Sequence, residues 1–319
     1  MLDALEHVDP LLTLAAFGVA VVVGLTGMGG GALMTPVLVL LFGIPPLSAV
    51  SSDLAASAVM KPVGSFVHLR RGTVNLALVR WLCVGSIPSA FAGVLVARSL
   101  GSGARMQHTI QVALGVALVI AASGLAGRAY LRLVERARRR DGSATSLPQD
   151  RPEVAVRPLP TMAIGAVGGL VVGMTSVGSG SLIIIFLMLL YPSLKASQLV
   201  GTDLVQAVPL VASAALGHVF FGDLHLGLTV SLLIGSVPGV WVGAQLSARA
   251  PGGLVRRALA FVLLASALKL LDVSTPVTGV VLLVTLLVGP VAWMGLRRRN
   301  GFAARPSGQR ARQEQAAGA

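Results

Sequence analysis

The chain has 319 residues, of which 55% are hydrophobic and only 12% charged. An ordinary soluble domain carries about 25% charged residues, so a water-soluble globule is excluded, and mean hydropathy of +0.84 points to a membrane protein. The formal net charge of +13 does not indicate a nucleic-acid partner, because most arginines fall in connections and in the tail, where the positive-inside rule accounts for them.

The first residues, Met1 to Pro10, are acidic (Asp3, Glu6, Asp9) and lack the basic start of a signal peptide. The first apolar run, Leu11 to Ile44, would be roughly 50 Å long as one straight helix, against a hydrocarbon core of about 30 Å. At its centre stands Gly24-Leu25-Thr26-Gly27-Met28-Gly29-Gly30-Gly31. Glycine costs a helix roughly 1 kcal/mol against alanine, so the cluster predicts a break, with Pro36 and Pro45-Pro46 punctuating the second part. Further runs follow at 47–69, 74–97 and 109–126. Arg128 to Pro158 is rich in arginine and proline and reads as a cytoplasmic linker. The second half opens with a run at 159–191, interrupted by Gly173-Met174-Thr175-Ser176-Val177-Gly178-Ser179-Gly180. Runs at 196–221, 224–248, 254–271 and 277–296 complete it, and hydropathy counting gives eight or nine spans. The tail from Arg297 is basic and predicted to be disordered. Cys83, the single cysteine, lies in an apolar run and reads as a packing residue. The strand alternation of an outer-membrane barrel is absent.

The two halves repeat one another. Gly24 and Gly173 are offset by 149, as are Gly29 and Gly178, and Gly31 and Gly180. After one inserted residue, an offset of 150 pairs Asp53 with Asp203 and His68 with His218. It also pairs Gly85-Ser86-Ile87-Pro88 with Gly235-Ser236-Val237-Pro238. If each interrupted run is a re-entrant hairpin, the acidic N-terminus and Asp223 fall outside the cell. Arg70-Arg71, the linker and the Arg297 cluster fall inside. Only Arg98 and Arg105 sit against the rule. The fold class expected is an all-α polytopic bundle of two inverted repeats, each opening with a glycine-broken hairpin, plus a further C-terminal span. Its parts are an acidic tail at 1–10, repeats at 11–127 and 159–272, a linker at 128–158, an added span at 273–296 and a tail at 297–319.

The residues Gly27-Met28-Gly29-Gly30-Gly31-Ala32-Leu33-Met34-Thr35-Pro36, Ser51-Ser52-Asp53 and His68-Leu69-Arg70-Arg71-Gly72 resemble the first half of a TauE/SafE-family membrane protein. Gly201-Thr202-Asp203, Gly217-His218 and Gly235-Ser236-Val237-Pro238-Gly239 resemble its second half. The resemblance implies a multi-pass transporter in a bacterial inner membrane, exporting sulfite, sulfoacetate or a related organosulfonate. The departures are Gly-Ser-Gly in the second cluster and the added final span.

Broken helices at matching positions of two halves mark a transporter's binding site. Amide groups at half-helix N-termini favour an anion. Thr26, Gly27, Gly29, Gly30 and Gly31 of the first cluster are therefore candidate substrate residues. Thr175, Ser176, Gly178, Ser179 and Gly180 of the second join them, the alternative being close helix packing by small residues. Gln206, one turn past Asp203, is a further candidate donor. Asp53 and Asp203 read as N-caps of the runs they begin or as coupling groups. Lys61 reads as an attractor of anions or as a residue snorkelling to an interface, and His68 and His218 as proton-coupling or structural groups. No metal spacing, nucleotide-binding loop or catalytic constellation stands out, so no metal, cofactor or enzymatic activity is expected. The expected partners are a small anion, the lipid bilayer, a coupling H+ or Na+ and, optionally, a second copy of the chain, with no nucleic acid. A passive anion channel and an uptake carrier for another small organic anion are the alternatives.

Overall fold

The computed structural model describes residues 8–26, 30–70, 72–100, 103–140, 155–192, 194, 196–246 and 252–302, and its regular structure is helical throughout. The helices are α1 (Pro10–Thr26), α2 (Gly31–Leu41), α3 (Pro46–Arg70), α4 (Leu76–Ser99), α5 (Ala104–Arg140) and α6 (Pro158–Thr175). They continue with α7 (Leu182–Leu190), α8 (Ala196–Phe221), α9 (Leu226–Leu246), α10 (Gly252–Leu270) and α11 (Thr275–Arg299). The interrupted runs become α1–α2 and α6–α7. α6 ends at Ser176, whose φ of 59° is left-handed, and Gly178 and Gly180 have φ of 139° and 90°, conformations that favour glycine.

Side-chain registers fix the directions. Thr161 at the start of α6 meets Tyr191 just beyond α7, and Gly168 lies on Ile183, so α7 folds back along α6. Thr35 of α2 meets Asp53 of α3, and Gly30 lies near Ser57 and Met60, so α2 runs antiparallel to α3. α3 and α8 are antiparallel, with Ser51 against His218 and Ser65 against Leu204. α5 and α10 are antiparallel as well, with Gln111 against Leu270 and Gly115 against Ala267.

The most extensive packing is exchanged between halves: α4 with α6, and α1 with α9. Gly165, Gly169 and Gly173 of α6 lie on the backbone of Leu82, Ser86 and Ala90 of α4. Gly235, Gly239 and Gly243 of α9 lie on that of Thr13, Phe17 and Val21 of α1. Both pairs are therefore parallel. Lipid tails offer helices no hydrophobic drive to associate, so close backbone approach through small residues is what holds such pairs together. Two apolar clusters flank the middle. One joins Leu54, Leu82, Ile183 and Leu210. The other joins Leu114, Leu118, Val177 and Leu263.

Three expectations are corrected. Six helices, not eight or nine, are long and apolar enough to cross a membrane among the described residues. α3 misses because it carries Ser51, Ser52, Asp53, Ser57, Lys61 and Ser65 along its length. Residues 128–140, read as linker, continue α5 to Arg140, since Arg, Glu, Leu and Ala are good helix formers whatever their charge; residues 141–154 lie outside the described set. Asp53 and Asp203 cap nothing: α3 begins at Pro46 and α8 at Ala196, leaving both carboxylates inside their helices. Pro46 suits a first helical position because it has no N–H to satisfy. The last helix, α11, packs on α10 and otherwise exposes apolar side chains such as Val280, Leu283 and Leu287.

Candidate functional site

The two hairpins meet tip to tip. Gly31 lies directly on the carbonyl of Ser176, so the first turn of α2 touches the bend between α6 and α7. α3 runs past this junction and reaches both sides of the second tip. Asp53 Oδ2 accepts hydrogen bonds from Ser176 Oγ at 2.6 Å and from Thr35 Oγ1 at 2.9 Å, one donor from each hairpin. Lys61, two turns further along α3, donates from Nζ to Ser179 Oγ. Asp53, Lys61, Ser176 and Ser179 are all buried. Lys61 lies within electrostatic reach of Asp203 as well as Asp53. One buried basic group thus interacts with a buried carboxylate from each half of the chain.

The second half adds further polar contacts. Gln206 Nε2 donates to Asp203 Oδ1 at 3.2 Å, and Gln206 Oε1 accepts from Ser86 Oγ of α4 at 3.2 Å. Thr175 is turned to its own bend, donating to Val171 O at 2.6 Å and accepting from Val177 N. His218 is fully buried and ties three elements, with Nδ1 at 2.8 Å from Ser51 Oγ and Nε2 at 2.8 Å from Gly173 O of α6. A carbonyl only accepts, so Nε2 carries the hydrogen. His68, its counterpart, is only partly buried and has Nδ1 at 3.0 Å from Thr73 Oγ1 beyond its own helix.

Of the candidate residues, Gly30, Gly31, Ser176, Gly178, Ser179, Gly180, Asp53 and Lys61 gather at the tips, with Asp203 and Gln206 beside them. Gly27 and Gly29 lie outside the described residues, as does the side chain of Thr26 at the end of α1. His68 stands away from the junction, and His218 lies beside it through Ser51 and Gly173. One expectation changes form. The amides of Ser181, Leu182 and Ile183 at the start of α7 converge on the Gly178 carbonyl, at 3.3, 3.0 and 3.3 Å. That carbonyl satisfies donors expected to face an anion. Hydroxyls and Lys61 are therefore the prominent donors at the junction.

Three participants were missed from sequence. Thr35 lies one turn after Gly31, a spacing that puts it on the same helix face. Ser57 lies midway between Asp53 and Lys61, and Gly30 packs near its hydroxyl. Ser86 belongs to the repeated Gly-Ser-Ile-Pro, whose duplication was the available signal. The described residues hold no cluster of three or more metal-ligating side chains.

The family model described as "Sulfite exporter TauE/SafE" matches residues 12–270, ending before α11. The chain is 39% identical over 254 residues to the "Probable membrane transporter protein YjnA" of Bacillus subtilis, covering 79% of this chain and 96% of the relative. It is 25% identical over 253 residues to the "Probable membrane transporter protein YdhB" of the same organism, covering 78% and 94%. No solved structure matches it. With the family model spanning nearly the whole helical body, the chain belongs to the TauE/SafE sulfite exporter family of membrane proteins.

Proposed function

We propose that the protein is a secondary transporter moving a small sulfur-containing anion across a bacterial inner membrane by alternating access. The anion class is sulfite, sulfoacetate or another organosulfonate, with thiosulfate as a further member, and its movement is coupled to that of an ion. The observation that carries this reading is the meeting of two broken-helix hairpins, with Asp53 and Lys61 of α3 bonded to either side of one tip. Broken helices that meet near mid-membrane are where transporters bind small ions, because non-helical backbone at that depth is tolerated only where protein buries it or a polar cavity meets it. Lys61 supplies the positive charge, and Ser176, Ser179 and Thr35 supply hydroxyl donors.

The orientation follows from charge. With α3–α8 and α5–α10 antiparallel and α4–α6 and α1–α9 parallel, Arg70, Arg140, Arg157, Arg257 and Arg297 to Arg299 gather at one end of the bundle. Asp9, Asp223 and Asp272 gather at the other. The positive-inside rule then puts the N-terminus in the periplasm, the C-terminus in the cytoplasm, and the two repeats in inverted orientation. Export is the direction that family membership suggests.

The test is flux in vesicles reconstituted with the full chain, loaded with labelled sulfite, sulfoacetate, thiosulfate or taurine, with and without a pH gradient. Saturable flux of the sulfur anions, faster than in protein-free vesicles, is the expected result. Flux of none of them overturns the anion reading. Conductance steps without dependence on any gradient would identify a channel instead.

A further inference from the structure

We infer that Asp53 is a stand-in for the transported anion: its carboxylate holds the hydroxyl donors that the anion would take, and the anion enters only as Asp53 takes up a proton. This inference rests on the anion reading above and names the coupling ion that reading leaves open.

The groups that would bind an oxyanion are the groups that surround Asp53. Its Oδ2 collects both hydroxyl donors, Ser176 Oγ from the second hairpin and Thr35 Oγ1 from the first. Gly30 of the first tip faces Oδ1, to which a β-carbon there would stand at 3.8 Å. Lys61 acts on the carboxylate electrostatically and bonds Ser179 of the same tip that Ser176 begins. The other anion cradle, the first amides of α7, is taken by the Gly178 carbonyl.

Charge counting excludes simple addition. The charged and titratable groups around Asp53 are Lys61 on its own helix, Asp203 and His218 on α8 and, just beyond α8, the half-exposed Asp223, which is bonded to Ser48 and Ser51 of α3 and lies beside His225. α2, α9 and the 176–181 bend contain none, and α5 meets α3 near Leu47 through Gln107. With both buried carboxylates ionised and Lys61 charged, these three groups carry one net negative charge. A monoanion added beside an ionised Asp53 would double that in a buried site, where like charges repel strongly.

A proton removes the conflict. It comes from the aqueous phase to which the site is open and bonds to Asp53, forming a carboxyl O–H. Thr35 and Ser176 are then released to donate to the anion, and the new O–H donates as well. On the far side the anion leaves, the O–H bond breaks to water, and the hydroxyls return to the carboxylate. One proton travels with each monoanion in the same direction. The step is electroneutral, so the net direction follows the product of anion and proton concentrations on the two sides.

The test uses the full chain in vesicles containing a fluorescent pH indicator, with labelled methanesulfonate and labelled sulfite as probes. Methanesulfonate is permanently ionised and brings no proton of its own. The expected result is one proton co-transported per methanesulfonate, with a half-saturation concentration rising about tenfold per pH unit above the pKa of Asp53. In Asp53→Asn the flux that remains carries one proton fewer per anion, for either probe, and its half-saturation no longer changes with methanesulfonate pH. Methanesulfonate flux without a proton in the unaltered protein overturns the inference, and that measurement stands even if Asp53→Asn does not fold. An unchanged pH slope in Asp53→Asn overturns it too. If neither these probes nor sulfoacetate, thiosulfate or taurine is moved by the unaltered protein, the anion reading itself fails and takes this inference with it.

Discussion

Gly31 and Ser176 lie in contact, the α-carbon of one against the carbonyl of the other, and through them two hairpins from different halves of the chain touch. No side chain fits between them. Gly31→Leu must therefore force the tips apart, and overpacking of this kind costs typically about 1–3 kcal/mol even in a core that yields. Gly18→Leu is the matched control, because a β-carbon at Gly18 on α1 meets nothing within 4 Å. The expected outcome is sulfite flux lost in Gly31→Leu with the protein still inserted, and kept in Gly18→Leu. Equal flux in both would show that the tips are not the substrate's place.

The exchange of partners between halves sets what moves. α1 is packed backbone-to-backbone on α9, and α6 on α4, so the arm of each hairpin is fastened to the opposite half. If access alternates, these pairs travel as units and the sequence halves do not. Spin labels in a Cys83→Ser background, placed at the exposed positions Leu14 with Trp241 and Val167 with Val84, should report distances unchanged by added sulfite. The pair Leu14 with Leu159, spanning the two units, should shift by more than the width of its distribution. Movement within Leu14–Trp241 would refute this division.

The glycine clusters were legible because they conflict with their surroundings: nothing else explains eight-residue windows of poor helix formers inside apolar runs. Their doubling pointed to two tips. The partners of α1 and α6 were not legible, because a glycine stripe says that some backbone approaches without saying which. Of the two readings open for Asp53, the cap arose because Ser-Ser-Asp has capping chemistry, while the true start lies at Pro46, where a proline that looks like a stop serves as a first helical residue. Thr35 went unnoticed because its partner is remote in sequence and reached only through the fold. In the same way, only the fold brings Lys61 to Ser179 of the other half.

His68 and His218 are equivalent in sequence and unequal in structure, which separates their variants. His218→Ala strands the Gly173 carbonyl and removes the ring bonded to Ser51, both in a fully buried setting. An unsatisfied buried polar group costs about 1–3 kcal/mol. Thermal unfolding in detergent should show His218→Ala clearly destabilised and His68→Ala, whose ring is partly exposed, affected less. The reverse order would mean that the His218 bridge to α6 contributes little.

α11 stands outside the residues that the family model matches, and outside the packing of the two halves. Its main neighbour is α10, and Val280, Leu283, Leu286 and Leu287 face outward. A chain ending at Ser274 should therefore keep sulfite flux per inserted molecule, measured in vesicles against the full chain. Loss of flux with insertion intact would give α11 a part in transport that its position does not explain.

The direction of each helix makes the topology testable without any substrate. α1 begins at the end of the bundle that carries Asp9, Asp223 and Asp272, whereas α5 ends among the arginines. A tag at the N-terminus and a tag within residues 141–150 should therefore report opposite sides of the membrane, the second in the cytoplasm. An α1–α2 segment that crossed the membrane once, rather than turning back at its glycines, would change the parity and bring both tags to one side. Protease protection in spheroplasts distinguishes the two. Both tags in one compartment would rule out the re-entrant hairpin, and with it the meeting of tips on which anion binding depends.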